Sequence, residues 1–256
     1  MKNFPHGCHV LNGDTLAERF PNSLDGKRLV FRECLIEGPV SSLEEEHLFF
    51  DRRAKYISDI HPECSIEDYY SLTVTELREL HSLPPNVPIY FWFEDDLFCQ
   101  ANLWFLFAYV DTHKMNHPLY WVRPNEHTPW GFGGLSDAQL VEAFQNRQQI
   151  ANPEIYVKLW HAYQQNDFSS LQQLASSTDH VEASVQAHID RFPEDNSLGR
   201  PQRTIISIIQ ELNTLDFGTI FQEFCTRESI YGFGDLQFKR LLDQMEANGQ
   251  LPSLEN

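Results

Sequence analysis

Residues 88–100, Pro-Ile-Tyr-Phe-Trp-Phe-Glu-Asp-Asp-Leu-Phe-Cys-Gln, constrain the fold more than any other stretch. The stretch opens as an unbroken apolar run, which marks a strand covered on both faces, as in the middle of a parallel sheet. Three carboxylates, Glu94, Asp95 and Asp96, follow at once. Leu97, Leu103, Trp104, Phe107 and Ala108 then recur at helical spacing. A central strand that ends in acids at the mouth of a helix predicts a site at the carboxyl edge of a sheet.

Strands are also predicted over 7–12, 27–32 and 118–123, with helices over 15–20, 42–60, 65–83 and 96–113. The second of these helices is opened by a Ser42–Glu45 capping box. Strands separated by helices imply parallel pairing through right-handed crossovers. The expected order is 2-1-3-4, which brings Asn12-Gly13-Asp14 beside Glu94-Asp95-Asp96 where the order reverses. The expected fold is α/β: a Rossmann-like parallel sheet over 1–130, a helical segment over 131–195, and a winged-helix-like unit over 196–256. In the helical segment the predicted helices run over 136–149, 152–164, 168–175 and 180–192. The last segment reads as helices over 201–212, 217–225 and 234–248 with room for a β-ribbon.

Composition narrows the function classes. Lys plus Arg number 19 against 37 Asp plus Glu, a formal charge of −18. Such acidity disfavours sequence-independent binding to phosphate backbones and docking on anionic lipid. It is compatible with a cation at an acidic site. Five cysteines without a CxxC pair signal neither a disulfide framework nor a zinc knuckle. The N-terminal residues lack a signal-like apolar core, and no run approaches the ~20 apolar residues of a membrane span. A reducing, cytoplasmic setting is the expectation.

The candidate site residues lie at strand ends. Asp14, Glu94 and Asp96 could hold a divalent cation such as Mg²⁺ or act as acid and base, since clustered carboxylates raise one another's pKa. The same acids equally suit capping of a helix N-terminus. Asn12 and Gly13 would let a ligand approach the backbone, or simply form a tight turn. Arg32 and Glu33 end the second strand, where such sheets contact a ribose or its phosphate; a salt bridge is the alternative. Arg53 and Tyr56, three apart on one helix, could face the same crevice. Gln100 and Cys99, one turn into the helix after the acids, could point into the site. His9, inside an apolar strand, is more simply a satisfied core histidine.

The segments His9–Asp14, Arg32–Pro39 and Trp92–Gln100, with Arg53–Tyr56 and Gly232–Phe238, resemble a bacterial family known as domain of unknown function 1835. The resemblance spans nearly the whole chain and implies a Rossmann-like N-terminal domain with a helical C-terminal region. Asp95 departs from the family pattern, in which His is common at that place. No activity is implied.

Together these features point to an enzyme or binding protein for a nucleotide or another phosphorylated small molecule. The competing class is a transcriptional regulator or protein-interaction module that uses the winged-helix-like C-terminal unit. That unit would be poorly charged for DNA, because residues 196–256 hold 5 basic against 8 acidic side chains. The chain is therefore expected to leave duplex DNA unshifted in a gel at low salt. A salt-sensitive shift would favour the regulatory class instead.

Overall fold

A computed structural model of the chain describes residues 7–40, 43–61, 63–125, 131–193 and 197–254, and only the backbone of Glu44. The Ser42 capping box lies outside the described residues. The chain divides into two compact units, Met1–Glu94 with Cys99–Leu174 and Asp95–Phe98 with Ala175–Asn256.

The first unit holds a five-stranded, mostly parallel sheet in the order β2-β1-β3-β4-β5. Its strands are β1 (Cys8–Asn12), β2 (Lys27–Phe31), β3 (Ile89–Trp92), β4 (Leu119–Val122) and the two-residue β5 (Gln148–Gln149). The first four pair in parallel, in the expected order. β5 is an antiparallel edge, with Tyr120 opposite Gln149. The helix expected to continue to residue 149 ends instead at Gln145, and the chain turns back to pair with β4.

Alternation along the strands gives the sheet two apolar faces. On one, Leu11, Tyr90, Trp92 and Val122 pack with Leu16 and Phe20 from the segment of α1 (Asp14–Glu18). Phe132, Leu135, Leu140 and Ala143 complete that layer. On the other face, Phe31 stacks on Phe105 and Phe91 meets Phe107, with ring centroids 5.6 and 5.1 Å apart.

Among the described residues, seven more α-helices lie wholly or mainly in this unit. They are α2 (Glu46–Ile60), α3 (Ile66–Tyr69), α4 (Thr75–Arg78), α5 (Leu97–Thr112), α6 (Asp137–Gln145), α7 (Glu154–Gln164) and α8 (Phe168–Ala175). One turn of π-helix, Tyr70–Val74, joins α3 to α4. From Cys99 to Val110 α5 is buried all round, so its apolar residues need no stripe. Phe49 of α2 stacks on Phe105 of α5, and Tyr156 and Trp160 of α7 pack on Phe107 and Phe105. Residues 131–174 thus belong with the sheet, where the sequence suggests a separate helical segment.

The second unit contains α9 (Glu182–Ile189), α10 (Arg200–Leu212), α11 (Phe217–Arg227) and α12 (Asp235–Ala247). Ile205, Ile208 and Ile209 form the buried stripe of α10. Phe217, Phe221 and Phe224 of α11 meet Phe238 of α12 with centroids 5.0–5.8 Å apart. Among the described residues of this unit there is no strand, so the ribbon of a winged helix has no counterpart there. No helix among the described residues is long and apolar enough to cross a membrane.

His9 is paired through both ring nitrogens. Its Nδ1 accepts a hydrogen bond from Trp92 Nε1 at 3.0 Å, and Nε2 donates to the Asp25 carbonyl at 3.2 Å. Phe20, Tyr90, Trp92 and Phe144 surround the ring. Burial pushes its pKa down to about 4, outweighing the hydrogen bond to Asp25. Because the folded state binds this proton less tightly than the unfolded chain, the neutral ring contributes its full stability above the ordinary His value of 6.5. That contribution is lost as pH falls from 6.5 to about 4. At 1.36 kcal/mol per pKa unit the loss is roughly 3 kcal/mol. The stability difference between wild type and His9→Gln, measured in urea at pH 7.5 and pH 4, is expected to narrow by that amount. A difference independent of pH would overturn this account.

Candidate functional site

The register places the carboxyl ends of the strands together. Leu11 lies opposite Trp92, Asn12 opposite Phe31, and Trp92 opposite Val122. The segment after β1 (Gly13-Asp14), the segment after β2 (Arg32-Glu33) and Glu94 after β3 therefore leave from one edge. Gly13 has φ +87, and a side chain added there would meet nothing within 4 Å. Its N–H is spent on the carbonyls of Leu11 and Phe31 at 3.1 and 3.2 Å.

Glu33 and Arg53 form an ion pair with no exposure on either side chain. Arg53 Nη2 reaches Glu33 Oε2 at 2.6 Å and the Cys34 carbonyl at 3.0 Å. Its Nη1 donates to the carbonyls of Glu37 at 2.6 Å and Pro39 at 3.5 Å, and Nε lies 3.2 Å from both carboxylate oxygens. Tyr69 also donates its hydroxyl to Glu33, and the Cys34 N–H does so at 3.0 Å. Burial alone would lower the Arg53 pKa, but the charge and hydrogen bonds of Glu33 outweigh it and hold the guanidinium ionised. Burial and then Glu33 push the Tyr69 hydroxyl far up, so it stays a donor. Arg53 and Tyr56 do share a face, the guanidinium lying 5.2 Å from the ring. That face is not an open crevice: it grips the loop after β2. The Glu37-Gly38-Pro39 segment is a held turn, with the Glu37 N–H bonded to the Cys34 carbonyl at 3.2 Å.

A second network crosses from β1 to α5. Asn102, buried in an apolar helix, donates to Asn12 Oδ1 at 3.1 Å and to the Glu33 carbonyl at 2.8 Å. Its own Oδ1 accepts from the Leu35 N–H at 3.1 Å. Asn12 Nδ2 reaches Cys99 Sγ at 3.0 Å. Gln100 is turned into the protein interior. Buried completely, it donates to the Glu94 carbonyl at 2.7 Å and accepts from Trp104 Nε1 at 3.2 Å. Asn102 was not among the expected site residues. The signal for it was a second amide two residues after Gln100 in an otherwise apolar run.

Arg32 and Glu33 do make salt bridges, with other partners rather than with each other. Arg32 donates from Nε and Nη2 to Asp14 at 2.8–3.0 Å. Nη1 donates to Glu76 and to the Leu72 carbonyl, the latter at 2.8 Å. Burial alone would lower its pKa, but hydrogen bonds to Asp14 and Glu76 raise it overall. With two carboxylates on one guanidinium, Arg32 is not the unopposed anion holder that the sequence suggests. Asp14, whose side chain is 57% exposed, faces outward from the pair.

The acids of the β3–α5 connection have separate partners. Glu94 Oε1 accepts from the Phe132 N–H at 2.6 Å, and its carboxylate lies against Gly131, whose φ is +49. The Asp96 carboxylate lies against Gly232, which has φ +62. Asp14, the third of the expected carboxylates, is held by Arg32.

Comparison with protein-family models, with curated proteins and with solved structures finds no match to this chain.

The buried ion pair yields a direct test. Replacing Arg53 with Met strands the Glu33 charge, and breaking such pairs costs about 3–5 kcal/mol. Arg32→Met, in a partly exposed pair, is expected to cost about 1 kcal/mol or less. The described tryptophans, Trp92, Trp104, Trp121 and Trp160, belong to the first unit, so a urea titration followed by tryptophan fluorescence reports on that unit. Equal costs for the two variants would refute the assigned role of Arg53.

Proposed function

We propose that the first unit is an enzyme or binding protein for a nucleotide or another phosphorylated small molecule, received at the carboxyl edge of β1, β2 and β3. The observation that carries this reading is the order β2-β1-β3-β4, a parallel sheet whose direction of progression reverses at β1. In open α/β sheets, ligands bind in the crevice outside the carboxyl ends at that reversal. Gly13 supports it, because its open surroundings leave the backbone accessible there. Asp14 supports it as the exposed carboxylate of the edge, suited to accept hydrogen bonds from sugar hydroxyls.

The buried groups play a different part. Glu33, Arg53, Asn102 and Gln100 are spent on the protein's own backbone and side chains, so they shape the edge without touching a ligand. A Mg²⁺ ion would accompany the ligand's phosphates rather than occupy a dedicated all-protein cage.

The test is thermal unfolding, followed by tryptophan fluorescence, with ATP, ADP, AMP and sugar phosphates, each with and without Mg²⁺. A ligand at a hundredfold excess over its Kd is expected to raise the unfolding temperature by about 5 °C or more. Asp14→Ala and Gly13→Val should each reduce the rise. If no such compound stabilises the protein, or both variants respond like wild type, the reading fails.

A further inference from the structure

The opposite edge of the sheet carries a cleft of about 440 Å³. Small-molecule sites occupy about 300–1,000 Å³. This cleft is formed where β4 begins, between the last turns of α5, β5 and the start of α7. Phe107, Val110, Leu119, Ile150 and Val157 supply its apolar lining. Asp111 and Glu154 bring two carboxylates to it and Lys114 brings one ammonium, so its formal charge is negative when His117 is neutral. The α5 helix also ends here, and a helix C-terminus favours a positive group.

The walls are fixed by backbone hydrogen bonds. Lys114 takes φ +51, and the chain beyond it returns, with the Met115 N–H on the Val110 carbonyl at 3.0 Å. The Ile150 N–H bonds to the Leu119 carbonyl at 2.9 Å, closing the β5 side. His117 Nδ1 lies 2.9 Å from the Val87 carbonyl and must donate to it. In the neutral ring this leaves Nε2 as an acceptor.

We propose that this cleft binds a small organic ammonium compound, its apolar tail against Val110, Leu119 and Val157 and its charged head between Asp111 and Glu154. The charge favours a cation over a carboxylate of the same shape. This site is independent of the nucleotide reading, because it lies at the other edge of the sheet.

The test uses the full chain, labelled with ¹⁵N, titrated at pH 8 with hexylammonium and separately with hexanoate. Hexylammonium is expected to bind saturably and to move the amide resonances of Val110, Leu119, Ile150 and Val157. Hexanoate should bind at least about fivefold more weakly, in line with the worth of partly exposed charge pairs. Asp111→Asn combined with Glu154→Gln replaces surface groups, so the fold should persist, and hexylammonium binding should fall about five- to tenfold. Val157→Trp should fill the cleft and remove the response. The proposal is overturned if hexanoate binds as tightly as hexylammonium, if the neutralised variant binds unchanged, or if no cleft resonance moves.

Discussion

The buried pair of Glu33 and Arg53 is the interaction on which the candidate edge depends. Two opposite charges sit in the interior with no exposure, where an unpaired charge would be prohibitive. The pair is tolerated because the guanidinium donors are divided between one carboxylate and three backbone carbonyls. Those carbonyls belong to the loop that leaves β2. One side chain on α2 thereby sets the path of the chain between β2 and α2, and Tyr69 from α3 fastens the same carboxylate from another side. Such a pair adds little net stability over an apolar substitute, but it admits one arrangement of the loop and few others.

Helix α5 supplies the complementary constraint. An apolar helix can slide or rotate in its bed unless something polar fixes its register. Asn102 does so through Asn12 and the Leu35 N–H, and Gln100 through the Glu94 carbonyl, while the Gln100 bond to Trp104 lies within the helix itself. The result is an edge whose polar side chains mostly look inward, leaving the backbone at Gly13 and the carboxylate of Asp14 turned outward. On the proposed reading, recognition at this edge would fall to few groups, with its specificity drawn from the shape held behind them.

Most of the fold could be read from the sequence because its signals were local. Apolar runs at 88–93 and 118–123, separated by helical spacing, are enough to predict parallel strands, and the order 2-1-3-4 was a topological choice that the pairing bears out. The β5 strand was not legible: two glutamines carry no alternation, and pairing with Tyr120 is a tertiary event. The candidate residues were found by position, at strand ends, yet their partners were not. Arg53 and Glu33 stand twenty residues apart in a chain rich in acids, and nothing local distinguishes that pairing from any other. For the same reason Arg32 reads as an anion holder until Asp14 and Glu76 are seen on it.

The π-turn at Tyr70–Val74 is where one residue decides the match between two elements. The wider turn accommodates a residue more than an α-helix would over the same rise, and with it the Leu72 carbonyl faces Arg32 while Glu76 meets both Arg32 and the Val30 N–H. Loss of a single residue there would turn everything that follows by about 100°, the angular step of an α-helix. Glu76 would swing away from the β2 edge, so a deletion in this segment would disturb that edge more than an exposed substitution would.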